Sequence, residues 1–230
     1  MRKTLIVALI FLSTSIFAQH RPFQFGFKGG LNIGWFATDA KGYKGEGVDF
    51  GGSWGFTADI FIMENYSFTS GFDVIYLNSS ISFPDQKPAD ILAVMIDGQS
   101  KRKYKAKYVE LPLIFTMKTN KIGKVAYYGQ IGFGMSFLIS AKADEEFNAY
   151  SGSYMSNETF NAYDDLSPTR ESFIVGAGVE FPIQGSTFVR TGIKFDNAFV
   201  NVLKGYNNTD AYLKNNGRNS FVELNASVFF

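Results

Sequence analysis

The sequence predicts an all-β protein: a closed, antiparallel, eight-stranded transmembrane β-barrel of the outer-membrane kind, with short periplasmic turns and long extracellular loops. Three observations predict it. Large apolar residues stand at every second position in eight segments, beginning with Phe23, Phe25, Phe27 and then Leu31, Ile33, Trp35. Period-two alternation means strands whose two faces meet different environments. An export signal precedes the first segment, and the last residue is Phe230. Connections between the segments alternate short and long, as in bacterial outer-membrane barrels.

Residues 1–18 read as a cleavable signal peptide, and 19–230 as one barrel domain. Arg2 and Lys3 give the basic start, Leu5 to Leu12 the apolar run, and Ala18 the small residue before a cut between Ala18 and Gln19. Ile16 is larger than the usual small residue there, so a cut after Ser15 is the alternative. The apolar run is too short for a typical spanning helix.

The expected strands are 23–36, 50–61, 66–77, 105–117, 124–140, 171–181, 186–196 and 221–230. Tight turns fall at 62–65, 118–123 and 182–185. The long loops fall at 78–104, 141–170 and 197–220, with a shorter outer one after the first strand. An even strand number places both chain ends on the periplasmic side.

Volume decides which face points inward. An eight-stranded barrel has an interior only wide enough to be filled by side chains. Residues such as Phe27, Leu31, Trp54, Phe72, Leu113, Phe133, Ile193 and Leu224 are too many and too large for it, so the apolar set faces lipid. The opposite set mixes small residues with charges. Tyr66 and Tyr76 bracket the apolar face of the third strand, about 25 Å apart along a tilted barrel axis, the height of an outer-membrane apolar band. Tyrosines suit those two edges, where ring meets acyl chain and hydroxyl meets headgroup. Glycines such as Gly132, Gly134 and Gly176 relieve crowding in the curved sheet. The main alternative fold is a secreted lipocalin-like barrel with its apolar side chains turned inward.

Without residues 1–18 the chain holds twenty basic and twenty-one acidic residues. No basic surplus points to nucleic acid. The absence of Cys excludes disulfides, thiolate metal sites and a lipidated N-terminal Cys. The acidic residues carry no calcium-loop spacing. The single His, His20, lies two residues past the expected cut, a poor place for a general base. No catalytic residue, cofactor or metal ligand is therefore predicted, and the chain reads as non-enzymatic.

The inward charges are Lys28, Arg190 and Lys194 against Asp59, Asp73, Glu110, Glu180 and Glu223. Buried ions need partners, so an internal network filling the barrel is expected ahead of a conducting pathway. The acidic surplus would leave some carboxylates wet, near a mouth, or protonated. Asp196 is expected near the outer rim. Lys101, Arg102, Lys103, Lys105 and Lys107 form a basic stretch on the outer side. Three readings stand for it: contact with anionic headgroups, a solvated loop, or pairing with the acidic loop that carries Asp144, Glu145, Glu146, Glu158, Asp164 and Asp165. The aromatic residues of that acidic loop, including Tyr150, Tyr154, Phe160 and Tyr163, suit either partner contact or a plain loop cap.

Two stretches resemble the PorT-like outer-membrane β-barrel family of Bacteroidota: Phe25-Gly26-Phe27-Lys28-Gly29-Gly30-Leu31-Asn32, and Tyr108-Val109-Glu110-Leu111-Pro112-Leu113. The Phe17-Ala18-Gln19 junction is similar to signal cleavage sites of the same bacteria. The resemblance implies an exported, eight-stranded outer-membrane protein. It implies little chemistry, since most members have no established activity, although the founding member is linked to a secretion and gliding apparatus. Pro112 lacks an N–H for the ladder and needs a bulge or strand end.

The expected role is a monomeric barrel seated among outer-membrane lipid and lipopolysaccharide, whose outer loops contact a partner. Candidates are envelope polysaccharide, another cell-envelope protein or a secretion assembly. A small passive pore for ions or small solutes is the alternative.

Overall fold

The computed structural model describes residues 23–89, 94–152 and 155–230. The signal peptide, its cleavage site at Ala18 and Gln19, His20 and Tyr154 lie outside the described residues.

Eight long strands form the barrel: β1 (Phe23–Ala37), β3 (Asp49–Met63), β4 (Tyr66–Ala89), β5 (Val94–Lys118), β6 (Ala126–Ala149), β8 (Thr169–Gln184), β9 (Thr187–Ala198) and β10 (Arg218–Phe229). Two short strands, β2 (Lys44–Gly45) and β7 (Met155–Asn161), add to β4 and β6 outside the ring. Every barrel strand pairs antiparallel with its neighbour along the chain. The ring closes where β1 meets β10, from Gly26 opposite Phe229 to Ala37 opposite Arg218. Closure leaves no edge strand unpaired within hydrocarbon.

The apolar set points out. Phe27 is 63% exposed, Leu31 72%, Leu113 67% and Leu224 60%, as a lipid-facing surface requires. Glu110, Asp59, Glu223 and Lys194 are buried within. Turns are short at the end that holds both chain termini: Glu64-Asn65 joins β3 to β4, and Gly185, at φ 61°, turns β8 into β9.

Pro112 sits inside β5 rather than at its end. The β4–β5 ladder breaks between Thr69 opposite Ile114 and Asp73 opposite Glu110, which spares the missing N–H. The Ser70 hydroxyl donates to the Pro112 carbonyl across the gap at 2.9 Å. Gly71 occupies the same break at φ 150°, and a Cβ there would fall 2.0 Å from the Phe56 carbonyl oxygen.

Three strands run far beyond their expected ends. The segments 78–104 and 141–170 are largely strand: β4 and β5 stay paired from Asn78 opposite Lys105 to Ala89 opposite Val94, and β6 continues to Ala149, with β7 paired along its Lys142–Asn148 stretch. Measured from Tyr76 opposite Lys107, this crown rises on the order of 30 Å. The expected ends followed the apolar outer stripe, which stops at the lipid edge although the strands do not. Above that edge the polarity reverses. Tyr104, Ala106, Ile81, Phe83, Ala143 and Phe147 are buried, while Lys101, Lys105 and Glu146 face outward.

A bulge in β6 makes the reversal work. Tyr108 opposes Leu138 and Lys107 opposes Ser140, leaving Ile139 as the extra residue. One inserted residue exchanges the faces of everything after it. Ala141 and Ala143 thereby turn inward, onto a core shared with Phe36, Leu77, Leu138, Leu166, Val202 and Leu203, and Phe147 is buried higher up the same face.

Gly71→Ala should therefore lower barrel stability in urea unfolding by about 1–3 kcal/mol, the range for forced overpacking. At Gly29 an added Cβ would meet nothing within 4 Å, so Gly29→Ala should change stability by less than about 0.5 kcal/mol. Equal effects at the two sites would contradict the close approach at Gly71.

Candidate functional site

The eight inward charges expected from the sequence are all inside the bore, in two groups. Near the periplasmic end Arg190 lies between Asp59 at 2.5 Å and Glu180 at 2.6 Å. Thr69 donates to Asp59 at 2.5 Å and shares a 2.7 Å bond with Thr116. Midway up, Lys28 pairs with Asp73 and reaches Glu223 at 3.4 Å. Lys194 reaches Glu110 at 3.2 Å, with Asp73 and Glu223 at 3.9 Å. The Ser53 and Ser136 hydroxyls donate to Glu223 and Glu110 at 2.6 and 3.1 Å. Alternation places these side chains inward, and the closed ring sets them against one another across the bore.

Further groups belong to the network. Arg170, placed at the end of a loop by the sequence pattern, is 1% exposed inside β8. It donates to Asp196 at 2.5 Å and to the Asn219 side chain at 3.0 Å, and its guanidinium lies 3.7 Å from Glu110. Asp196, expected near the outer rim, is fully buried beside it. Lys118, at the end of β5, reaches Glu180 at 3.6 Å. With these three included, six carboxylates meet five cations, and the expected acidic surplus shrinks to one.

Rings seal the lower end. Phe188 and Phe229 stack at 4.8 Å, and Arg190 lies 4.4 Å from the Phe229 ring centre. A cavity of about 40 Å³ among Lys28, Asp73, Thr69, Gln130 and Arg190 has room for one or two waters. The apolar core of the crown closes the bore from above.

The basic stretch divides. Arg102 turns inward, into the crown, and does not face the lipid edge. It donates to Glu145 at 2.5 Å, to Tyr104 at 3.0 Å and to Asp165 at 3.1 Å. Lys103 reaches Asp49 at 2.5 Å, and Lys105 pairs with Asp144. Lys107 lies 5.1 Å from the Tyr76 ring centre, at the level where headgroups meet the barrel. Lys101 stands about 15 Å higher by strand rise. Arg102 and Lys105 thus pair with the acidic segment, while Lys103 pairs with Asp49 at the start of β3.

Around Arg102 the outer loops build a cavity of about 390 Å³. The guanidinium lies 5.0 Å from both the Phe83 and Phe160 ring centres, and Tyr43 stacks on Phe83 at 5.3 Å. The wall is held by amides. Asn207 donates to the Tyr43 hydroxyl at 3.0 Å and to the Pro84 carbonyl at 2.8 Å, Tyr43 donates to Asn215 at 2.5 Å, and Asn215 donates to the Lys204 carbonyl at 2.7 Å. Burial pushes the Asp165 carboxyl above the usual carboxylate range; Arg102 opposes the shift, and Glu145 and Asp164 add to it. Burial likewise raises the Tyr43 phenol.

Residues 17–202 match the family described as the outer membrane protein beta-barrel domain. The chain belongs to that family. Its place is the bacterial outer membrane, and its exposed apolar girdle is the lipid-facing surface. No curated protein sequence matches the chain. Among solved structures, Ail, the attachment invasion locus protein of Yersinia pestis, aligns at 13% identity and TM-score 0.39, over 90% of this chain and 98% of that one. OprG of Pseudomonas aeruginosa aligns at 10% and 0.46, over 92% and 97%. The outer membrane protease OmpT of Escherichia coli aligns at 9% and 0.38, over 91% and 97%. No activity follows for this chain from such distant likenesses.

Truncating Arg190 to Ala strands Asp59 and Glu180 in the bore and should cost about 3–5 kcal/mol of stability. Lys101→Ala, at an exposed position with no ion pair among the described residues, should cost under about 0.5 kcal/mol. Unfolding in lipid or detergent measures both, and a negligible effect of Arg190→Ala would mean a water-filled bore.

A second expectation concerns pH. A folded-state value above the unfolded one means that the folded mouth holds the Asp165 proton more tightly. The stability of this region therefore falls as pH rises from the ordinary aspartate value through the raised one. The Lys204 amide bonds the Asp165 carbonyl at 2.8 Å and reports on it. Its hydrogen-exchange protection, corrected for intrinsic rate, should be greater at mildly acidic than at neutral pH. In Asp165→Asn that difference should vanish.

Proposed function

We propose that this protein is a closed, non-enzymatic outer-membrane barrel that displays a rigid, strand-built crown for contact with a partner at the cell surface. One observation carries the reading: the bore is filled and ion-paired, while the ordered, concave surface lies at the extracellular end. The single His of the sequence, His20, gives little for nucleophilic or general-base chemistry to use.

Envelope polysaccharide, a second envelope protein or a secretion assembly are the partners this surface suits. The resemblance to PorT-like barrels of Bacteroidota fits such a role by analogy of fold. Export by the signal at 1–18, with removal after Ala18, belongs to the same reading. Lys107, level with the lipid edge, supplies contact with anionic lipid or lipopolysaccharide groups there. A monomer fits this reading, since strand closure leaves no unpaired membrane edge for a second copy to extend.

The alternative of a small passive pore is opposed by the stacked Phe188 and Phe229 and by the apolar core above the charges. Planar-bilayer recording on the purified barrel separates the two. The closed reading expects no stable unitary conductance from the native chain. Long-lived channels that change size in Arg190→Ala or Glu110→Gln would replace it with the pore.

A further inference from the structure

We propose that the mouth cavity around Arg102 is a binding site for a neutral saccharide ring of a surface glycan, an inference that rests on the crown being the contact surface. The cavity's size, about 390 Å³, lies within the roughly 300–1,000 Å³ of small-ligand sites. Its walls come from four separate outer segments, carrying Tyr43, Phe83 and Arg102, Phe160, and residues 203–208 with Asn215. Segments so distant in sequence form one concavity because the Asn207, Tyr43 and Asn215 bonds tie them together. A site held this way is ordered before any ligand arrives, which reduces the entropy lost on binding.

The chemistry of the lining selects the ligand class. Arg102 does not offer a free positive charge. Glu145 and Asp165 neutralise it, and four of its five N–H groups are already engaged. A strongly anionic ligand would also meet the exposed carboxylate of Asp164. Among the described residues no cluster of three acidic or imidazole groups suits a metal ion. The rim offers a mixed set instead: Asp164 accepts, the Lys204 ammonium donates, and the Tyr206 hydroxyl and the Asn208 carbonyl oxygen have no bond to another described residue. Tyr206 is 62% exposed, and no ring contact among the described residues covers it. Paired donors and acceptors beside aromatic faces match a pyranose, whose hydroxyls both donate and accept and whose C–H face packs on a ring. An uncharged, purely apolar ligand would leave those rim groups unsatisfied.

The test is saturation-transfer NMR on the full mature barrel in lipid nanodiscs, free of sugar-headed detergent. The probes are glucose, galactose, mannose, N-acetylglucosamine and their disaccharides, with free leucine as a zwitterionic comparison and methyl phosphate, whose methyl protons report binding, as an anionic one. The proposal expects saturable binding of at least one sugar. It expects that affinity to fall about tenfold or more in Tyr206→Ala and in Asp164→Ala, the scale of one lost contact, and to hold in Lys101→Ala. Both rim positions are exposed, and heat-modifiable gel mobility checks that the variants fold. Absence of saturable sugar binding would overturn the proposal, as would sugar binding that both rim variants leave intact. Leucine or methyl phosphate saturating the site in place of sugar would overturn it equally. A barrel that neither conducts nor binds these sugars would keep the closed-barrel reading and lose only this one.

Discussion

The width of an eight-stranded ring governs this molecule. Such a bore holds side chains and little else, so its inward positions are chiefly small or polar residues and charges with partners, with a few larger side chains such as Ile114, Tyr128 and Ile174 packed among them. Gly30 and Gly134 leave the space that Glu223 and Glu110 occupy, and Gly192 leaves room for the Tyr128 hydroxyl. The apolar residues then have nowhere to go but outward, where hydrocarbon receives them. Ion pairing and lipid exposure are thus two consequences of one geometric limit. Removing a partner is costly because the bore has room for one or two waters at most, too few to solvate a stranded charge.

The lipid edge imposes the second constraint. Below Tyr76 and Lys107 the outside is hydrocarbon; above them it is water. The same strands cross that boundary, so their in–out preference must invert, and β6 does so through the bulge at Ile139. The inversion gives the crown its own apolar core, which holds its strands at a fixed geometry well above the membrane. A concave site can be rigid there in a way that a flexible loop would not allow.

Much of this was legible in the sequence, for reasons that also explain what was not. Alternation in segments such as 23–36 and 66–77 fixed strand number, face and the eight central charges, because one face met lipid throughout. The crown carries an equally clear alternation at Lys101-Arg102-Lys103-Tyr104-Lys105-Ala106-Lys107-Tyr108, with its polarity reversed. A reading tuned to apolar-outward strands passes over it as a basic loop. Arg170 escaped for a related cause: it precedes the apolar run of β8 and stands next to Pro168-Thr169, which look like loop. The ring seal of Phe188 and Phe229 had no signal of its own, since both lie at strand ends among outward Phe residues. The mouth cavity joins residues from 43 to 215, and only tertiary structure brings those together.

A filled bore makes the interior charges structural and leaves recognition to the crown. The most direct test is water exchange at the buried guanidinium protons. Solution or solid-state NMR of the barrel in lipid can follow the Nε–H groups of Arg170 and Arg190 against that of the exposed Arg218. A filled, paired interior predicts that both buried groups exchange slowly and show no cross-relaxation with bulk water at neutral pH, while Arg218 exchanges fast. Rapid exchange at all three would contradict it, and would mean that water runs the length of the barrel.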